Sequence, residues 1–209
     1  MKELTMNKIS QALEWAYKSA ITGFASVDSA PKMAENFMMG EKSLSQKANT
    51  LINWQITKAG TTGFLTGLGG IITMPVTIPA NLAVVLFVQI RMIAALAHMG
   101  GYDLHDERVQ TMVYACLAGN GVKDIVKGTG IVIGTKLTKK AIEKISSQTI
   151  TKINKAVGFR LLTKFGQKGA INLGKLLPIV GGIIGGTFDS VTTLIIGKTA
   201  KKVFITQQD

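Results

Sequence analysis

The stretch AGTTGFLTGLGGIITMPVTIPANLAVVLFVQIRMIAALAHMGG, residues 59–101, decides the fold. From Ala59 to Ile90 the chain runs 32 residues without a charge. Gly60, Gly63, Gly67, Gly69 and Gly70 crowd the first third, and Pro75 and Pro79 interrupt it. Proline has no N–H and a fixed φ, so it breaks a helix interior but suits a first turn. The pattern predicts a Gly-rich helix to about Thr73, a turn through Pro79, and a long apolar helix from Ala80 to Met99. The Gly100–Gly101 pair stops it. Ala80 to Ala97 is 18 residues, near the lower limit for a membrane span. It contains Gln89 and Arg91, however, and an arginine near the middle of a lipid-facing helix costs roughly 2.5–3.5 kcal/mol. The prolines also leave the preceding helix too short to span. The segment therefore reads as a buried hairpin rather than a spanning one.

Helical spacing continues on both sides. Leu13, Ala16, Tyr17, Ala20, Ile21 and Phe24 lie three and four apart within residues 3–25. Asp28–Ser29–Ala30–Pro31 predicts a turn and a helix start, with the helix ending near Gly40. Ser43 opens a third helix, carrying Leu44, Ala48, Leu51, Ile52 and Ile56 on one face. Beyond the hairpin, Asp103 to Glu107 predicts a loop and the acidic first turn of a helix reaching Ala118. Residues 119–134 are punctuated by glycine, with Ile131–Val132–Ile133 the only short strand-like run. Residues 136–168 are Lys-rich and amphipathic. A last helix is expected over 178–203, where Gly181 with Gly185, and Gly182 with Gly186, make small-xxx-small steps for close helix packing. Gly63 and Gly67 serve the same role in the hairpin.

Composition agrees with one compact all-α bundle around the Gly-rich apolar hairpin. The chain has 209 residues, 46 % hydrophobic, 17 % charged, with 23 Gly and a mean hydropathy of +0.29. These values exclude a disordered chain, a collagen, a coiled coil and a disulfide scaffold. Residues 1–45 are read as an N-terminal helical arm and 46–209 as the main helical domain. The net charge is +12 and is unevenly placed. Residues 1–120 carry 9 basic and 8 acidic side chains, and residues 121–209 carry 15 and 4. Such asymmetry is the footprint of an anionic partner. The N-terminal MKELTMNKIS has no apolar run of signal-peptide length, which predicts a cytoplasmic protein, peripheral on the inner membrane face.

Chemistry-bearing motifs are sparse. The Gly-rich stretch fits neither GxxxxGK[ST] nor GxGxxG after a strand. Gly197–Lys198–Thr199 resembles the end of a phosphate loop, but Thr192 stands where the first glycine belongs. One Cys and two His cannot supply a zinc site. His98, Asp103, His105 and Asp106 lie close together, yet a helix end and a capped helix start explain them as well. Cys116 reads as a small reduced core residue. No catalytic residue, metal or cofactor is therefore assigned. Arg91 and Asp189 are each the lone strong charge of an apolar helix, and either would be costly to bury unpaired. They are expected to face each other as a buried pair, with separate snorkelling to the surface as the alternative.

The cations Lys136, Lys139, Lys140, Lys144, Lys152, Lys155, Arg160, Lys164 and Lys168, with Lys201 and Lys202, are read as a lipid-binding set. They interleave with Ile, Leu and Phe, as in helices that lie on membranes. A solvated helix face is the bland alternative. Nucleic acid is disfavoured, because lysine dominates and no set of stacking aromatics accompanies the patch.

The chain resembles the EcsC family of bacterial proteins over about residues 50–205. Three blocks carry the resemblance, in order. The first is Thr66–Gly67–Leu68–Gly69–Gly70 with Pro75 and Ile78–Pro79–Ala80, followed by the helix with Arg91. The second is Gly101–Tyr102–Asp103–Leu104. The third is Leu177–Pro178–Ile179–Val180–Gly181 with Gly185–Gly186, ending in Ala200–Lys201–Lys202–Val203–Phe204. At Phe188–Asp189–Ser190 the chain departs from the family pattern of a small residue and Asn. The resemblance implies a membrane-associated protein without established enzymatic activity, named after one encoded beside an ABC transporter. The expectation is thus a non-enzymatic peripheral protein on an anionic membrane surface, with a membrane protein as a further partner. A membrane-inserting or pore-forming protein, and a lipid or small-ligand carrier, are the alternatives.

Overall fold

The computed structural model describes residues 4–23, 27–59, 80–135, 138–165 and 184–205. Among these residues the fold is all-α. The helices are α1 (Met6–Thr22), α2 (Ala30–Met38), α3 (Leu44–Ala59), α4 (Ala80–Met99) and α5 (Glu107–Cys116). A 3₁₀ turn at Gly119–Gly121 leads to α6 (Val122–Ile125), α7 (Thr138–Glu143), α8 (Ser147–Phe165) and α9 (Ile184–Phe204). No strand occurs at 131–133, where Ile131 is buried within a run of turns. The Gly-rich half of the hairpin, with Gly63 and Gly67, lies outside the described residues, as do Gly181 and Gly182. Gly185 and Gly186 lie in the first turn of α9.

Helix starts follow local chemistry. Thr5 and Ser29 each accept a hydrogen bond from the amide three residues on. Ser43 and Gln46 form a reciprocal box: the Gln46 amide donates to Ser43 Oγ, and the Ser43 amide to Gln46 Oε1. The Lys-rich stretch forms two helices, α7 and α8. Ser146 Oγ accepts from the Thr149 amide and starts α8 afresh.

The core is built around α4. Its window Leu82–Met99 is long and apolar enough to cross a membrane, but 89 % of it is buried inside the protein. The α1 face made of Ile9, Leu13, Ala16, Tyr17 and Ala20 lies in the same core, and α1, α2, α3, α5 and α9 all pack on α4. Tyr17 in α1 ties this N-terminal helix to the loop after α4, donating to the Leu104 carbonyl at 2.7 Å.

Four contacts fix the register of α9. Lys201 Nζ lies 2.8 Å from Asn49 Oδ1, and a Cβ at Gly197 would meet Ile52 Cγ2 at 2.9 Å, so α9 runs antiparallel to α3. The same Cβ would meet Met92 Cε at 3.3 Å, and Gly100 abuts the Phe204 carbonyl, so α9 runs parallel to α4. One turn from the Gly197 layer, this register places Gln55, Gln89 and Thr193 at one height. All three are buried, and Gln55 Oε1 and Nε2, Gln89 Nε2 and Thr193 Oγ1 have no hydrogen-bond partner among the described residues. Such a layer costs stability relative to apolar residues.

All three tyrosines are buried. Tyr17 and Tyr114 meet edge to face at 5.7 Å, and Tyr102 meets Phe204 likewise at 5.1 Å. Burial pushes the Tyr102 phenol up to about 12, and raises Tyr17 and Tyr114 as well. Above pH 10 the unfolded chain therefore loses phenol protons that the native state keeps. The stability this provides is complete below pH 10 and falls as pH rises beyond it. Arg91 acts the other way: burial lowers it to about 10, so its cost is relieved between pH 10 and 12.5. Three phenols outweigh one guanidinium. In an alkaline titration, tyrosinate absorbance is expected to stay flat through pH 10 and then rise in one step with loss of helical circular dichroism. A rise near pH 10 with the helices intact would contradict the burial.

Candidate cationic face

The expected buried charge is present at Arg91, which is 4 % exposed. Its Nε donates to the Asp28 carbonyl at 2.8 Å, and the Asp28 carboxylate favours its charged form. Asp28 itself pairs with Lys32 at 3.2 Å. Arg91 therefore stitches α4 to the turn before α2. Its expected pairing with Asp189 falls on a side chain outside the described residues.

The lysine set separates into three groups. Lys136 and Lys168 lie outside the described residues. Lys139 and Lys201 are tied into the fold. Lys139 Nζ donates to the Gly101 carbonyl at 3.0 Å and sits 5.3 Å above the Tyr102 ring. Lys201 donates to Asn49, and partial burial lowers its pKa. The third group faces outward. Lys140, Lys144, Lys152, Lys155 and Lys202 are exposed. None has an ion-pair partner among the described residues.

Helix α8 orders the exposed cations. Ile150, Ile153, Val157 and Leu161 are buried against α5 and α1, which turns Lys152, Lys155 and Phe159 to solvent. Phe159 is 63 % exposed, and α8 contains no acidic residue. An aromatic ring so exposed, four residues after one lysine and seven after another, is the feature that charge counting alone passes over. Its signal was available: Phe159 falls on the polar side of the α8 helical wheel.

Arg160 and Lys164 belong to a different edge of α8. They line a crevice of about 190 Å³ with Leu117, Ala118, Val157 and Leu161. The Arg160 guanidinium lies directly on Gly121, where any Cβ would collide with it. Lys164 Nζ is 5.0 Å above the Phe165 ring. The sequence groups these two cations with Lys152 and Lys155, and the helix geometry separates them.

The remaining motifs have local roles. Asp103 Oδ1 accepts from the His105 amide, and Asp106 caps α5 while holding the Arg108 guanidinium at 2.7 Å. That guanidinium also donates to the Glu143 carbonyl, joining α5 to α7. Among the described residues no group of three His, Cys, Asp or Glu comes together. Cys116 is fully buried, and burial raises its thiol pKa well above the ordinary value. Gly197–Lys198–Thr199 lies inside α9, so it forms no phosphate loop.

The arrangement defines an all-α bundle closed around one apolar helix, with a lysine-bearing outer helix. The chain belongs to the EcsC protein family, whose model matches residues 2–206. The match takes in α1 and α2, in keeping with their place in the core. No curated protein and no solved structure matches the chain.

Proposed function

We propose that the protein is a non-enzymatic peripheral membrane protein, cytoplasmic in location, that binds anionic lipid through the outer side of α8 and the neighbouring α7 lysines. The observation that carries this reading is Phe159, exposed one and two turns after Lys155 and Lys152, which are in no ion pair among the described residues, on a helix without acids. Lysine attraction supplies about 1 kcal/mol per residue near an anionic surface, and a ring entering the headgroup region adds an apolar, salt-independent part. Lys140, Lys144 and Lys202 extend the same field.

Vesicle flotation tests the reading. The protein is expected to float with vesicles containing phosphatidylglycerol at low salt, to leave them at high salt, and to ignore neutral phosphatidylcholine vesicles. Failure to bind any vesicle would sink it. Binding that survives both high salt and an alkaline wash would replace it with insertion of apolar helices.

A further inference from the structure

On another side of the molecule, a cleft of about 270 Å³ opens between α1, α5 and α8. Its walls bring together Glu14, Glu107, Gln110, Thr111, Tyr114 and Asn154. Asn154 leaves α8 on the side away from Lys152 and Lys155. Three observations point to a ligand. First, neither Glu14 nor Glu107 is in an ion pair among the described residues, although the chain has 24 cations for 12 acids. Second, Thr111 is 0 % exposed, and its Oγ1 has no partner. Buried hydroxyls are normally satisfied, so this one awaits a group brought from outside. Third, Asn154 Oδ1 is likewise buried and without a partner. The Gln110 amide nitrogen is already committed to Tyr114 Oη at 2.7 Å.

The wall is rich in acceptors and carries two negative charges. A ligand that fits must therefore be cationic and supply several N–H donors. The cleft is smaller than the usual drug-sized site, which limits it to a few heavy atoms. A divalent metal matches less well, because only two carboxylates meet there and no group of three His, Cys, Asp or Glu comes together among the described residues. We propose that the α1–α5–α8 cleft binds a small primary-amine cation, with Glu14 and Glu107 facing the ammonium and Thr111 and Asn154 accepting from it. This site does not rest on the membrane reading.

Calorimetric titration with putrescine and ethanolamine tests it, with tetramethylammonium as a cation that lacks N–H. Saturable one-to-one binding is expected for the primary amines, with tetramethylammonium roughly ten-fold weaker or more. Glu14→Gln is expected to weaken amine binding about ten-fold or more. Thr111→Val removes the partnerless hydroxyl while keeping the shape. It should hold or raise the melting temperature of the free protein yet diminish its upward shift with amine. Equal binding of tetramethylammonium, no amine binding, or unchanged affinity in both variants would overturn the proposal. Adding phosphatidylethanolamine to anionic vesicles separates the sources. A gain in vesicle affinity lost in Glu14→Gln assigns a lipid headgroup, and no gain alongside binding of the free amine assigns a soluble one.

Discussion

Lys152→Glu combined with Lys155→Glu is expected to weaken binding to phosphatidylglycerol vesicles by about 30-fold or more. Each lysine near such a surface is worth about 1 kcal/mol, and reversing its sign replaces attraction with repulsion of similar size. The pair therefore shifts binding by about 4 kcal/mol at low salt, and screening at physiological ionic strength leaves at least half of that. At about 1.4 kcal/mol per ten-fold, the remaining ~2 kcal/mol is about one and a half decades. Both side chains are exposed and in no ion pair among the described residues, so circular dichroism and the melting temperature should not move. Phe159→Ser differs in kind: it should remove the part of binding that persists at high salt. Lys139→Ala is the contrast, since its ammonium is occupied by the Gly101 carbonyl and its loss should cost stability before it costs affinity. Unchanged vesicle affinity in the double variant would end the assignment to α8.

Gly100→Ala is expected to destabilise the protein by about 3 kcal/mol, at the upper end of overpacking costs. The added methyl would strike the Phe204 carbonyl oxygen and carbon, backbone atoms that no rotamer change can move aside. The final turn of α9 must shift, and with it the Tyr102–Phe204 ring contact. For a chain of this length the melting temperature should fall by about 6–12 °C. Gly197→Ala offers the calibration. There the new carbon meets side chains rather than backbone: Met92 Cε at 3.3 Å can swing aside, and Ile52 Cγ2 at 2.9 Å must shift with its stiff β-branched side chain. Its loss should be about half as large. Equal losses at the two sites, or none at Gly100, would contradict the packing described for the ends of α4 and α9.

Local chemistry was legible in the sequence, and long-range coverage was not. Pro79 before and Gly100–Gly101 after the apolar run gave α4 the bounds Ala80–Met99 that the structure has. Ser29, Ser43 and Asp106 announced their helices as caps. The apolar stripe of α1 announced a helix that wraps around the hairpin, but not which distant residues it would meet, such as the Leu104 carbonyl. The cationic set was legible as a composition but not as a surface. Lys139 and Lys201 find acceptors 38 and 152 residues away, and no spacing rule reaches that far. The acidic cleft was invisible for the same reason. Glu14, Thr111 and Asn154 are unremarkable on their own helices and acquire meaning only where α1, α5 and α8 converge.

The position of α9 has a consequence during synthesis. It packs against both α3 and α4, yet it leaves the ribosome long after them. Until α9 emerges, the side of α4 that it will occupy lacks the cover that α9 gives. Nascent molecules therefore pass through an interval with an apolar helix open to other binders, and a stalled or prematurely terminated chain remains in it. Chaperone demand and aggregation of truncated products are thus set by the order in which the helices are made, independently of how stable the finished bundle is.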